Sequence, residues 1–246
     1  MSVHSTGQLL ERIGRRLRRH KQAKLVWFDV GAHLGEKTIY RAMANPNLTV
    51  YAFEPNLKLA AKRMGYLVNF IMLPFAIAET DGASDFNLNS FDSASSLLPF
   101  NREALSQWNG EQDLKIERVI SVPTIRLDTF MNEVGIPSVD FLKIDAQGAD
   151  LSVLKSAGER LRDIREIVLE VPVKPIPLYE GSHSREECLR FMAGAGFDLV
   201  KQESESDGQE ANLTFMPANT SRRDSAGPEN NGTAQPERED RRARSD

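Results

Sequence analysis

The residues with chemistry to offer sit where apolar runs stop. The run Leu25–Phe28 (LVWF) ends at Asp29, and the chain opens at once into Asp29-x-Gly31-x-x-x-Gly35 before a helical pattern carried by Thr38, Ile39, Ala42 and Met43. A glycine turn at the carboxyl end of a buried parallel strand, with a helix N-terminus behind it, lets a ligand come close to the backbone. The spacing excludes the commonest ligands of such a turn. A dinucleotide fingerprint begun at Gly31 needs glycine at positions 33 and 36, where His33 and Glu36 stand, and the G-K-[ST] ending of a Walker loop is missing. A second run, Leu48–Phe53, ends at Glu54 and Pro55. An acid at that tip is suited to accept the two hydroxyls of a ribose.

The elements that must position these groups follow from periodicity and breakers. Val68–Leu73, Arg118–Ile125, Val139–Ile144 and Glu166–Val171 read as strands, and Asn56–Gly65, Leu127–Val134, Asp150–Arg162 and Arg185–Ala195 as helices. Phe197–Lys201 and Ala211–Met216 read as two final strands joined by a polar turn. Such alternation predicts an α/β domain with a mostly parallel sheet and ligands at its carboxyl edge. Phe91–Gly110 and Pro172–Ser184 show no period, and irregular stretches in compact domains are often lids or binding loops.

Five blocks in order, DVGAHLG (Asp29–Gly35), FEP (Phe53–Pro55), VPTIRLDTF (Val122–Phe130), FLKIDAQGADLSVLKSAG (Phe141–Gly158) and IVLE (Ile167–Glu170), resemble an FkbM-type S-adenosylmethionine-dependent methyltransferase. The resemblance implies a Rossmann-like class I methyltransferase fold: a three-layer αβα sandwich whose mostly parallel seven-stranded sheet has the order 3-2-1-4-5-7-6, with the last-formed strand antiparallel. In that order Glu54, Asp29, Asp145 and Glu170 end four adjacent strands, a row roughly 15 Å long at about 4.8 Å per strand. A row of acids repels pyrophosphate and suits a ligand with a ribose diol, an ammonium and a sulfonium, which is S-adenosylmethionine.

Carried over residue by residue, the resemblance implies that Gly31, Ala32 and Gly35 let the turn pass close to the methionine moiety while Asp29 orders it. Glu54, followed by Pro55, accepts the ribose hydroxyls, and Ala76 and Ile77 cradle the adenine. An alcohol acceptor must lose a proton, for which Asp145 is the first candidate and Glu170 the second, ahead of Lys143 and His183. Two positions depart from the family pattern. His33 stands where Asn is usual, and both residues tolerate positive φ. Gln147 stands where Glu is usual, which removes a charge and a candidate base. The function expected is methylation of a hydroxyl on a glycan or small-molecule metabolite. A non-catalytic cofactor-binding or scaffold protein on the same fold is the alternative that Gln147 raises.

Composition bounds the rest. The chain has 246 residues, 40% of them hydrophobic, and a net charge of −4, which suits one globular domain and gives no general pull toward nucleic acid. His4, His20, His33 and His183 show no ligand spacing, so no metal is expected. Cys188, the single cysteine, reads as a buried structural thiol. No signal peptide and no membrane-length apolar run stand out, so a cytoplasmic protein is expected. Three segments are expected: a basic N-terminal helical extension over 1–24, the methyltransferase domain over 25–217, and a polar, disordered tail over 218–246. The Leu9, Leu10, Ile13 and Leu17 stripe of the extension is expected to pack on the domain edge, in preference to an anionic membrane surface or nucleic acid.

Overall fold

The computed structural model describes residues 25–107, 114–205 and 208–218, so the N-terminal extension and nearly all of the polar tail lie outside the described residues. The first half of the chain lays down β1 (Leu25–Val30), α1 (Glu36–Ala44), β2 (Leu48–Phe53), α2 (Leu57–Arg63), β3 (Phe70–Leu73), β4 (Ala76–Ile77), β5 (Gly82–Asn89) and the short α3 (Arg102–Leu105). The second half adds β6 (Ile116–Ile125), α4 (Leu127–Val134), β7 (Phe141–Ile144), α5 (Asp150–Ser156), β8 (Ile167–Pro172), α6 (Arg185–Gly194), β9 (Phe197–Glu205) and β10 (Glu210–Pro217). Seven strands form the main sheet in the order β3-β2-β1-β7-β8-β10-β9, with β10 antiparallel to both neighbours. This is the order expected from the resemblance, position by position.

Alternation along the strands sends side chains to two cores. Phe28, Val30, Tyr51 and Phe53 join the larger one with Phe130 and Met131 of α4 and Leu151 and Leu154 of α5. Val50 and Ala52 join the smaller one with Ile39 and Ala42 of α1 and Ala60 of α2. Phe28, Tyr51, Phe53 and Phe130 meet edge to face with ring centroids 4.9 to 5.7 Å apart. Such pairs contribute about 0.5–1.5 kcal/mol each beyond the area they bury. This aromatic brace ends one residue short of Glu54, so the tips of β1 and β2 are held at fixed spacing from below.

Two features differ from expectation. The predicted helix over Asp150–Arg162 breaks at Ser156 and continues as a 3-10 turn, Gly158–Asp163, because Gly158 takes a φ of +51°. A second sheet, ordered β4-β6-β5, stands beside the first, pairing β6 with segments that precede it by long connections. No helix among the described residues is long and apolar enough to cross a membrane.

Candidate active site

A cavity of about 690 Å³ opens at the carboxyl edge of the main sheet, within the size range of small-molecule sites. Its floor is set by strand register. Val30 pairs with Phe53 and with Ile144, and Ile144 pairs with Leu169. One step on, Glu54, Gly31, Asp145 and Glu170 therefore stand side by side across four strands. The expected row of four acids needs correction here. Asp29 lies two residues back, in register with Lys143, and Lys143 Nζ sits 3.3 Å from Asp29 Oδ1 and 3.2 Å from Asp145 Oδ2. A lysine thus divides the acids. Glu170 is not a strand end either, since β8 runs on to Pro172.

The β1–β2 end is tightly bonded. Asp29, 1% exposed, accepts the Thr38 hydroxyl at 2.5 Å, while its Oδ1 has the Lys143 ion contact and no hydrogen bond. Glu54 Oε2 accepts the His33 backbone N–H at 2.9 Å and Oε1 accepts that of Asn56 at 2.7 Å, so one carboxyl ties the glycine turn to the end of β2. Burial pushes the Glu54 carboxyl up to about 7, against the pull of those N–H groups. Each of its oxygens keeps acceptor capacity for a ligand hydroxyl. Gly31 has φ +70°, and a Cβ there would fall 1.8 Å from the Asp145 carbonyl oxygen, so the turn can close on β7 only as glycine. Gly35 does not line the cavity: its absent Cβ leaves room for the Phe70 ring, which would otherwise be met at 2.4 Å.

The β7–β8 end is charged differently. Burial alone would raise the Asp145 carboxyl, but Lys143 beside it, the Gln147 hydrogen bond and the Lys37 charge hold it below the usual range. Both its oxygens are engaged, Oδ1 by Gln147 Nε2 at 2.7 Å and Oδ2 by Lys143. Asp150 caps the next turn, accepting the Ala146 and Gly148 N–H groups, and burial with the nearby Asp145 charge pushes it up to about 7. Glu170 accepts no hydrogen bond among the described residues. Burial and the charges of Asp145, Glu210 and Asp150 push its carboxyl up to about 9.

Two irregular segments close over this floor. Phe100 stacks on Tyr179 with centroids 5.2 Å apart, and Asn101 N–H and Glu180 N–H donate across to Leu178 and Pro99 carbonyls. Ala94, Phe100, Ala104, Leu178 and Tyr179 form their own small core, so the segments after β5 and β8 are one cap. Gln147 stitches cap to floor at a φ of +52°: its carbonyl oxygen accepts the Ser96 hydroxyl and its Oε1 that of Tyr179, both at 2.7 Å. His33, also at positive φ, joins the glycine turn to the cap through Asp92, 2.9 Å from Nε2.

Of the residues singled out from sequence, Asp29, Gly31, Ala32, Glu54, Pro55, Ala76, Ile77, Asp145 and Glu170 all line this one cavity. His183 does not; it lines a smaller neighbouring pocket, its Nε2 3.1 Å from Lys155 Nζ. Lys37, Asp92 and Glu210 also line the cavity and were not foreseen. Glu210 had a legible signal, because an antiparallel last strand brings its first residue to the edge where the other strands end.

Known proteins resemble this chain over most of its length. The 2-O-methyltransferase NoeI of Sinorhizobium fredii is 29% identical over 188 residues, 72% of this chain and 74% of the relative. The 31-O-demethyl-FK506 methyltransferase FkbM of Streptomyces tacrolimicus is 25% identical over 202 residues, with the same two coverages. Among solved structures, magnesium protoporphyrin IX methyltransferase from Synechocystis PCC 6803 aligns over 86% of this chain and 79% of that one, at 14% identity and a TM-score of 0.40. The family model of the methyltransferase FkbM domain matches residues 29–199, which begins at the acid of β1, ends inside β9 and takes in the whole row from Glu54 to Glu170. With that match running over most of its length, the chain belongs to the FkbM methyltransferase family, whose methyl donor is S-adenosylmethionine.

Proposed function

We propose that the protein methylates a hydroxyl group on a glycan or small metabolite, with Glu170 taking the hydroxyl proton and Asp145 serving as an ionised anchor beside it. The residues present fit the cofactor. Glu54 offers two carboxyl oxygens to a ribose diol, Phe75, Ala76 and Ile77 offer an apolar wall, and Asp29 Oδ1 is a buried acceptor without a hydrogen bond. When bound, S-adenosylmethionine supplies an electrophilic methyl group on a cationic sulfur. The two relatives above carry O-methyltransferase names, which favours an oxygen nucleophile.

Methyl transfer is an in-line displacement, so holding the nucleophile in line is the larger part of the chain's work. The remaining part is the proton. A base works best when it is free to accept and its pKa lies near the working pH. Asp145 meets neither condition, with both oxygens engaged and its carboxyl held low. Glu170 meets both once a cation enters the cavity and draws its carboxyl down from about 9. The observation that carries the reading is this unbonded carboxyl on the cavity floor beside a saturated one.

The test is transfer of labelled methyl from S-adenosylmethionine to a panel of hydroxylated metabolites and neutral glycans. Glu170→Gln is expected to lower turnover about 10²-fold, the usual scale of general-base catalysis, with S-adenosylhomocysteine binding retained. If Asp145→Asn costs more than Glu170→Gln on an identified acceptor, the two roles are reversed.

A further inference from the structure

Among the cavity carboxyls, Glu170 stands apart from its bonded neighbours and from exposed Glu36, which meets His33 Nδ1 at 3.6 Å. Asp29, Glu54, Asp92 and Asp145 each have a protein donor within 2.9 Å. Glu170 has none among the described residues, although it is partly buried in the same floor. It faces the charges of Asp145 from the end of β7, Asp150 from α5 and Glu210 from β10, opposed by that of Lys37 of α1, while Lys143 is taken up by Asp29 and Asp145. The connection after β8 adds Tyr179, and the small space behind Glu170 is bounded by Lys174, His183 and Cys188. Burial pushes the Cys188 thiol up to about 12, so it brings no charge. A carboxyl placed among three others without a donor keeps its proton at neutral pH until a positive charge arrives. The register puts it at the far end of the row whose near end is Glu54. A donor gripped by its ribose at Glu54 and extended along this row would bring its sulfonium toward Glu170. The sulfonium is the one charge it loses on methyl transfer, the α-ammonium being common to donor and product.

We propose that Glu170 makes the cavity a charge discriminator: neutral in the ligand-free protein, it ionises against the cationic methyl donor and so favours the donor over the neutral thioether product. The inference rests on the methyltransferase reading above. The proton balance closes. Glu170 gives one proton to solvent as the donor binds. As the sulfur–methyl bond breaks, its electron pair stays on sulfur and the hydroxyl oxygen bonds the methyl carbon. The hydroxyl proton then passes to Glu170. A neutral Glu170 faces a neutral product, and the attraction that held the donor is gone.

The experiment is calorimetric titration of the full chain at pH 7.5 with S-adenosylmethionine, sinefungin and S-adenosylhomocysteine, each in phosphate and in Tris, whose ionisation enthalpies differ. Glu54 contributes equally to all three ligands, so the difference in protons released reads Glu170. The two cationic ligands are expected to release about one proton more than S-adenosylhomocysteine, and to be favoured about tenfold more in the parent protein than in Glu170→Gln, one pKa unit of differential interaction. Equal proton counts for cationic and neutral ligands in the parent protein overturn the proposal, without reference to any variant. An undiminished difference in Glu170→Gln overturns the assignment to this residue. If all three ligands fail to bind, the functional reading falls and this inference with it; if they bind with equal counts, only this inference falls.

Discussion

At the β1–β2 end of the cavity the acids are bonded before any ligand arrives: Asp29 holds the Thr38 hydroxyl, and Glu54 ties two backbone N–H groups together. At the β8–β10 end Glu170 has no donor, and its neighbours are mostly other acids. The first end is a preformed grip, stable without its ligand. The second holds a carboxyl without a donor, which a cation would draw into its charged form. Both are needed on one sheet edge, because recognition of the constant part of a donor rewards rigidity while proton transfer needs a group that changes state.

The contrast can be broken most severely at the turn. Gly31→Ala places a Cβ 1.8 Å from a backbone oxygen at a φ of +70°, and the expected cost is about 4 kcal/mol or more by urea unfolding. Gly135→Ala, at φ +75° with nothing within 4 Å, carries only the backbone strain of about 1 kcal/mol. Similar costs at the two sites would show that the turn is not pinned against β7.

Glu54→Ala is expected to weaken S-adenosylhomocysteine binding by about 2–4 kcal/mol, from hydrogen bonds to a charged group worth roughly 1.5–3 each less what water recovers. A folded variant with unchanged affinity would remove the grip from this end.

Smaller effects follow pH. A diol binds the ionised form of Glu54, whose carboxyl lies near 7, so affinity for S-adenosylhomocysteine should rise with pH through that value, by up to about tenfold per unit below it. Flat affinity between pH 5.5 and 8 would contradict this. Stability runs the other way. Carboxyls raised on folding, Glu54 and Asp150 to about 7 and Glu170 to about 9, contribute stability that is complete below the unfolded value of 4.5 or less and lost as pH climbs through 7 and 9. The Tm of the ligand-free protein should therefore fall over that window, and Glu170→Gln should flatten its upper part.

The smallest effect is expected at the stitch between floor and cap. In Gln147→Glu a carboxylate replaces the amide that donates to Asp145 at 2.7 Å, so the two acids must share a proton. A Tm loss at pH 8 that recovers near pH 5 is expected. Unchanged Tm at both would show that the amide contact contributes nothing.

The bonded end was legible in the sequence and the unbonded end largely was not. Asp29, Gly31 and Glu54 sit at the ends of local apolar runs, where strand, turn and helix are neighbours along the chain. The part played by Gly35 was misread, because Phe70, which needs its missing Cβ, arrives from another strand. Lys143 divides the acids through parallel register, a property of two strands more than a hundred residues apart. The cap depends on Phe100 meeting Tyr179 between two segments without periodicity, so nothing in either announces the other. Glu170 was noticed as an acid near a strand end. Its missing donor is a fact of three dimensions.

Binding of S-adenosylmethionine along the row from Glu54 to Glu170 is what the whole site turns on. It is tested most directly by titrating the protein, one ligand at a time, with S-adenosylhomocysteine, NAD and a nucleotide sugar. Saturable binding of S-adenosylhomocysteine alone is expected, because the turn from Gly31 to Gly35 lacks the glycine spacing that brings a pyrophosphate onto the backbone. Binding of NAD or the nucleotide sugar, or no binding of S-adenosylhomocysteine, would contradict it.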